Sequence, residues 1–598
     1  MEIKQKSRVE IPEEFKWRIN DLVESDDTWR AGVDSIGKRI SGLARFKGKL
    51  SDNLAECLTE QASISEEFSK LYVYANMKQH EDANDVLYQG FSDTASRLYV
   101  QLMAAESFIE PEILEYVKND KNAEERLKAP DLALFRHYLD NLLRQKDHVL
   151  SAELEEMLAQ VHELGEAPDN IFGMFDNADI KFGMVADDAG NQVELTHGRF
   201  GAMLDSPNRD VRKNAWHTYY DSYWYLKNTL AATYSASVKK DVFFAKARKY
   251  PSAMEAALFS NNIPTSVYTG LIEAVHEALP HMHKYMQLRQ KALNLPELRV
   301  YDLYTPLIKQ VNDRVEYKDA VETVLKSLSP LGQEYIDISK AGLQKDGWVD
   351  VYENIGKMNG AYSWGAYGAH PFILMNYENK VDDMFTLAHE LGHAMHSYYS
   401  WDKQPYIYSD YSIFLAEVAS TVNEALLMEY LLKNNSDPAM EAFLVNTWLE
   451  QFRTTLFRQT LFAEFEMITH RMAEEGEPLT VDSLNAVYRG LNEKYYGSVV
   501  TLDDKLDLEW ARIPHFYRAF YVYQYATGYS AAMAFSNRIL KEQKAEKYVD
   551  FLKAGSSDYS INILKTAGVD MSGPEPVREA LDKFSSLLND MEVILSGT

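Results

Sequence analysis

The chain has a single cysteine, Cys57, among 598 residues. That scarcity excludes an internal disulfide framework and any thiolate cage for a metal. Proline and glycine are also few, at 18 and 28 residues. Together with long stretches at helical period, this predicts a mainly α protein. No apolar run reaches the roughly 18 residues of a membrane span. The lysines of the N-terminal MEIKQKSRVEIPEEF are followed by no apolar stretch, so it does not read as a secretory leader. Basic side chains are outnumbered, 62 against 90 acidic, for a net charge of −28. That balance argues strongly against nucleic acid, which needs a basic surface, and less strongly against an anionic membrane. Acidity of this kind keeps a protein soluble, and an acidic interior would favour cationic peptides. These features point to a reducing, cytoplasmic setting with no obligate protein partner.

The length predicts at least two lobes. Helix signals recur from the start: Pro111 ahead of EILEYVKND, Ser151 ahead of AELEEMLAQV, and Ser206-Pro207 ahead of NRDVRKNAW. Strand signals are local. IKFGMV (180–185) and QVELT (192–196), joined by DDAGN, predict a hairpin. A region 1–195, ending in that hairpin, is expected to precede a catalytic region 196–598. A glycine- and aromatic-rich stretch from Gly360 through Tyr362 to His370-Pro371 leads into FILMNY (372–377). As an exposed edge strand, 372–377 would bind an extended peptide through main-chain hydrogen bonds. Gly360, Tyr362 and His370 are the residues expected to line the cleft there.

The strongest signal is His389-Glu390-Leu391-Gly392-His393, inside a helix expected over 381–400. Side chains at i and i+4 share a helix face, so both imidazoles reach one ion. Glu390, between them, is placed to polarise a zinc-bound water rather than to ligate. His396 lies on the same face but about 10 Å along the axis from His389, too far to share an ion, and reads as a support behind the ligands or as packing. Asp402, Asp410, Glu417, Glu424 and Glu429 are the downstream candidates for a third ligand. In the apolar helix 413–432, Glu417, Ser420, Thr421 and Glu424 fall on one stripe. Buried carboxylates need a positive partner. Glu417 is therefore expected to complete the ligand set, and Glu424 to orient a histidine from behind. Two His and one Glu leave the fourth position of a Zn²⁺ ion free, the catalytic arrangement. Near the C-terminus, Tyr521, Tyr525 and Tyr529 fall at i, i+4 and i+8, expected on one helix face, with His515 upstream. A phenol or imidazolium serves as donor to an oxyanion.

HELGHAMHSYYS, QPYIYSDYSIFLAEVASTVNE and IPHFYRAFYVYQYATG, with IPEEFKWRINDLVESDDTW and GWVDVYENIGKMNGAYSWGAY, resemble the oligoendopeptidase F group of the thimet oligopeptidase family. The likeness spans nearly the whole chain. It implies a zincin-like metallopeptidase of two helical lobes around a deep channel, with a small β-sheet near the active site. It also implies one zinc ion on His389, His393 and Glu417, Glu390 as general base, and short unstructured peptides as substrates. Its donors fall on His515, Tyr521 and Tyr525. Gly528 stands where the thimet branch has a further tyrosine, so the choice of donor stays open, with Tyr529 a candidate. Two rivals remain. An exopeptidase would need a cation for the substrate carboxylate, for which Arg453 and Arg458 are candidates; a non-catalytic zinc-stabilised peptide binder would not need Glu390.

Overall fold

The computed structural model describes residues 5–308 and 314–597; the first four residues of the lysine-bearing N-terminus lie outside them. The chain is mainly α and folds into two compact units, each assembled from three segments. One unit comprises Met1–Asp147, Asn312–Tyr430 and Phe535–Gly568. The other comprises His148–Val311, Leu431–Ala534 and Val569–Thr598. Among the described residues no helix is long and apolar enough to cross a membrane.

The first unit opens with three helices, Asp26–Gly42, Leu50–Glu81 and Val86–Glu106. Ser25 and Asp85 start the outer two by accepting the backbone N–H groups of Thr28 and Leu87, donors the helix itself leaves unpaired. Their apolar faces share one core in which Trp29 stacks on Phe91 at 3.9 Å. A three-stranded sheet joins the same core. Phe372–Leu374 is its middle strand, parallel to Val349–Asp350 and antiparallel to Tyr362–Trp364. The sequence expectation of an exposed edge at 372–377 is thus corrected. The strand is shorter, fully buried and paired on both sides. Its unbroken FIL run is what a buried central strand requires, and the outer strands are Tyr362–Trp364 and Val349–Asp350.

The second unit packs Thr265–Ala292 against Arg458–Glu475, Val481–Tyr496 and Glu575–Gly597. The expected hairpin is present as Met184–Ala186 paired antiparallel with Gln192–Glu194. Two helix starts differ from expectation. Asn208, not Ser206-Pro207, caps Arg209–Tyr225 by accepting the Asp210 N–H. Pro111 is the third residue of Ile109–Asn119 rather than its opener, a first-turn position that still needs no N–H. Ser151 holds the position before Ala152–Gly165 without a side-chain bond; Glu155 accepts the neighbouring Leu150 N–H instead.

Candidate active site

The helix Val381–Lys403 begins where Asp383 accepts the N–H groups of Lys380 and Glu378 at 2.9 and 2.8 Å. The carboxylate thereby meets the positive helix end. Leu387, Ala388, Leu391, Ala394 and Met395 are all buried, so the helix is enclosed on most sides. His389 and His393 emerge on its one partly open face.

Three donor atoms converge there. His389 Nε2 lies 3.2 Å from His393 Nε2, and Glu417 Oε2 lies 3.5 and 3.6 Å from the two nitrogens. Behind them, His389 Nδ1 donates to Glu424 Oε1 at 2.5 Å, which turns Nε2 toward His393 and Glu417. With both Nε2 atoms deprotonated, their lone pairs and the carboxylate oxygen repel at such separations, and a cation among them offsets that repulsion. The set His389, His393 and Glu417 could hold a metal ion. Glu417 is held at a pKa of about 2, chiefly by the His393 ring that faces it, against the opposing effect of burial. Ser420 Oγ steadies it with a bond of 3.1 Å. Burial disfavours charge on His389, but Glu424 outweighs it and raises the imidazole to about 9. Glu390 is buried, and burial raises its carboxyl above the usual range although both histidines pull it down.

Both carboxylates come from Ile413–Asn434, as the polar stripe predicted. Gly392 permits this approach, because a Cβ there would lie 2.6 Å from the Ala419 carbonyl oxygen. Asn423 ties the two helices by donating to the Ala388 carbonyl at 3.1 Å and accepting from Tyr335 at the same distance.

In the second unit, His515 Nε2 lies 3.2 Å from the Tyr525 hydroxyl, and the Tyr521 ring stacks 6.0 Å from the imidazole. The tyrosines do not share a helix face as expected. Tyr523–Glu542 begins after Tyr521, because Phe520 takes a positive φ of 56° and turns the chain. Tyr529 points into the core with its edge 5.0 Å from Phe452. Its hydroxyl is buried rather than offered to a substrate.

The model for peptidase family M3 matches residues 202–583, and that for oligopeptidase F matches 118–182. The chain belongs to peptidase family M3. It is a metalloendopeptidase. It is 48% identical over 593 residues to oligopeptidase PepF of Bacillus subtilis, covering 98% of this chain and 88% of that one. An oligoendopeptidase F homolog of Lactococcus lactis is 40% identical, with 99% of each chain covered. The crystal structure of oligoendopeptidase-F from Enterococcus faecium matches with a TM-score of 0.74 at 35% identity, over 96% of this chain and 100% of that one. The crystal structure of a protein described as a peptidase, from Chlamydophila abortus, matches with a TM-score of 0.94 at 36% identity, over 99% of this chain and 100% of that one.

Other expected residues of the peptidase are tied up internally. The Tyr362 hydroxyl pairs with His80 Nδ1 at 2.7 Å, and His370 lies between the Pro371 carbonyl and Asp21. Gly360, at φ 82°, presents its carbonyl to Asn376. His396 is fully buried and stacked on Tyr411 at 3.6 Å, the packing role its helix position predicted. Arg453 and Arg458 are no free carboxylate site. Arg453 is 2% exposed and clamps Glu450 at 2.7 and 2.8 Å, while Arg458 binds Glu509 at 2.7 Å. Sequence reasoning missed Gly392 and Asn423 as builders of the site. A glycine inside a strong helix pattern was the available signal.

Proposed function

We propose that the peptidase is a zinc-dependent oligoendopeptidase that cleaves internal bonds of short unstructured peptides, with Glu390 as general base. The observation that carries this is the convergence of His389 Nε2, His393 Nε2 and Glu417 Oε2, with Glu424 on the far side of His389. Two imidazoles and one carboxylate suit zinc and leave a position open. A zinc ion bound there would polarise the scissile carbonyl and lower the pKa of the attacking water. Glu390 takes the proton from that water and passes it to the leaving amine; burial, by raising its basicity, suits it to both transfers. Glu424 keeps the His389 ring in the tautomer that ligates. His515, Tyr521 and Tyr525 supply the hydrogen bonds on which the developing oxyanion depends. The substrate backbone adds to the outer strand Tyr362–Trp364, since 372–374 has no free edge.

The two family matches, 118–182 and 202–583, leave a gap that includes residue 195, in keeping with a division by sequence into an N-terminal region 1–195 and a catalytic region 196–598; the compact units divide the chain differently, between Asp147 and His148. The single buried cysteine is in keeping with a cytoplasmic setting. The test pairs zinc analysis with mass spectrometry of products from peptides blocked at both termini. Wild type cuts them internally; Glu390→Gln keeps its zinc and loses about 10²–10⁴-fold in turnover. Full activity in that variant sinks the reading.

A further inference from the structure

The loop that carries Tyr521 is built on a strained residue. Phe520 is 3% exposed and has a φ of 56°, the left-handed region that bulky side chains rarely enter because Cβ crowds the backbone. Such a conformation persists only where the surroundings hold it. Here the Phe520 N–H donates to Glu466 Oε1 at 3.0 Å. The Phe520 ring packs edge-on to Tyr268 at 5.6 Å and against His470 at 4.6 Å. His470 is itself fixed, with Nδ1 on the Glu466 main-chain carbonyl at 2.8 Å and Nε2 3.3 Å from Asp241.

Glu466 is unusual for a core residue. It is completely buried in Arg458–Glu475, and its Oε2 has no hydrogen-bond partner among the described residues. Burial pushes its carboxyl well above the usual range, with Asp241 adding to the rise and the Phe520 N–H opposing it. Burial therefore favours the neutral acid over the carboxylate. An apolar side chain would fill the same space at lower cost. What the carboxyl adds is one acceptor, aimed at one loop amide.

We propose that Glu466 is a positioning residue, whose buried carboxyl locks the Phe520 amide and thereby aims Tyr521 at His515 and Tyr525. This rests on the reading that those three groups serve the oxyanion. Tyr521 directly follows the strained residue, so relaxing Phe520 to an ordinary φ would swing the phenol away from its place 5.5 Å from the Tyr525 ring.

Amide hydrogen exchange of the full-length zinc enzyme, read at Phe520, tests the lock directly, with steady-state kinetics alongside. In wild type this loop amide exchanges slowly. Glu466→Gln keeps the acceptor and keeps both slow exchange and kcat. Glu466→Leu exposes the amide to exchange and lowers kcat about 10- to 100-fold, the scale of a misplaced catalytic group, with KM and zinc content unchanged. Fast exchange at Phe520 in wild type overturns the proposal, and so does a Glu466→Gln variant as impaired as Glu466→Leu. Wild-type kcat in a folded Glu466→Leu does the same. If Glu466→Leu does not fold, wild type and Glu466→Gln decide. Full kcat in both Tyr521→Phe and Tyr525→Phe would instead sink the oxyanion reading, and the exchange measurement keeps the two failures apart.

Discussion

Gly392 faces Ser420 across the helix pair so closely that a Cβ on the glycine would lie 2.6 Å from the Ser420 Cα. The obstacle is backbone, which cannot rotate out of the way as a side chain can. Gly392→Ala therefore forces Val381–Lys403 and Ile413–Asn434 apart, at a cost of about 1–3 kcal/mol. Because Glu417 and Glu424 ride on the second helix, metal retention falls with it. Urea unfolding and metal analysis of the purified variant read both effects; an unchanged midpoint with full metal content contradicts this packing.

In the proposed site, Glu424 acts through His389 rather than on an ion. Removing it in Glu424→Ala leaves Nδ1 without its 2.5 Å acceptor and frees the ring to turn and to change tautomer. Metal affinity is expected to drop about 10- to 100-fold, measured by competition with a chromogenic chelator. Unaltered affinity would show that the contact does not set the ligand.

His396 makes the peptidase acid-sensitive. Burial, assisted by His393, holds its folded pKa at about 3, while an unfolded histidine titrates near 6.5. Between those values the unfolded chain binds the extra proton, so the stability that His396 contributes falls as pH drops below about 6.5 and is level above it. Both ring nitrogens lack hydrogen-bond partners among the described residues, so His396→Phe fits without orphaning a bond. Between pH 6.5 and 5, wild type should lose about 2 kcal/mol more than the variant, at ~1.4 kcal/mol per pH unit. Parallel pH profiles of the two proteins would contradict the assignment.

Glu509, itself buried, joins two half-buried arginines. It accepts from Arg458 and Arg512 at 2.7 and 2.9 Å, and from Tyr488 at 2.7 Å. Glu509→Leu leaves two positive charges without their counter-ion and is expected to cost ~3–5 kcal/mol. Chemical denaturation at neutral pH gives the number. A loss below ~1 kcal/mol would mean that water reaches the guanidinium groups and solvates them.

Much of the metal site was legible without coordinates. The i, i+4 spacing of His389 and His393 needs only a helix, and the Glu417–Glu424 stripe follows from helical period in an otherwise apolar segment. The central strand was misjudged because a short apolar run, FIL, reads the same whether its neighbours exist or not. The tyrosine spacing misled for a related reason. Tyr521, Tyr525 and Tyr529 have helical period, but the positive φ of Phe520 starts the helix two residues too late for Tyr521. The period also sends Tyr529 into the core.

What the sequence determined by itself is local: helical character, the paired histidines, the acidic stripe, and a lone cysteine that rules out thiolate chemistry. Tertiary structure decided everything that depends on distance between segments far apart in the chain. It set Glu417 3.5 Å from His389, let Gly392 bring two helices into backbone contact, and paired Arg453 and Arg458 with carboxylates of their own. The physical reason is that periodicity reports which face of an element is apolar, whereas close packing selects which face meets which.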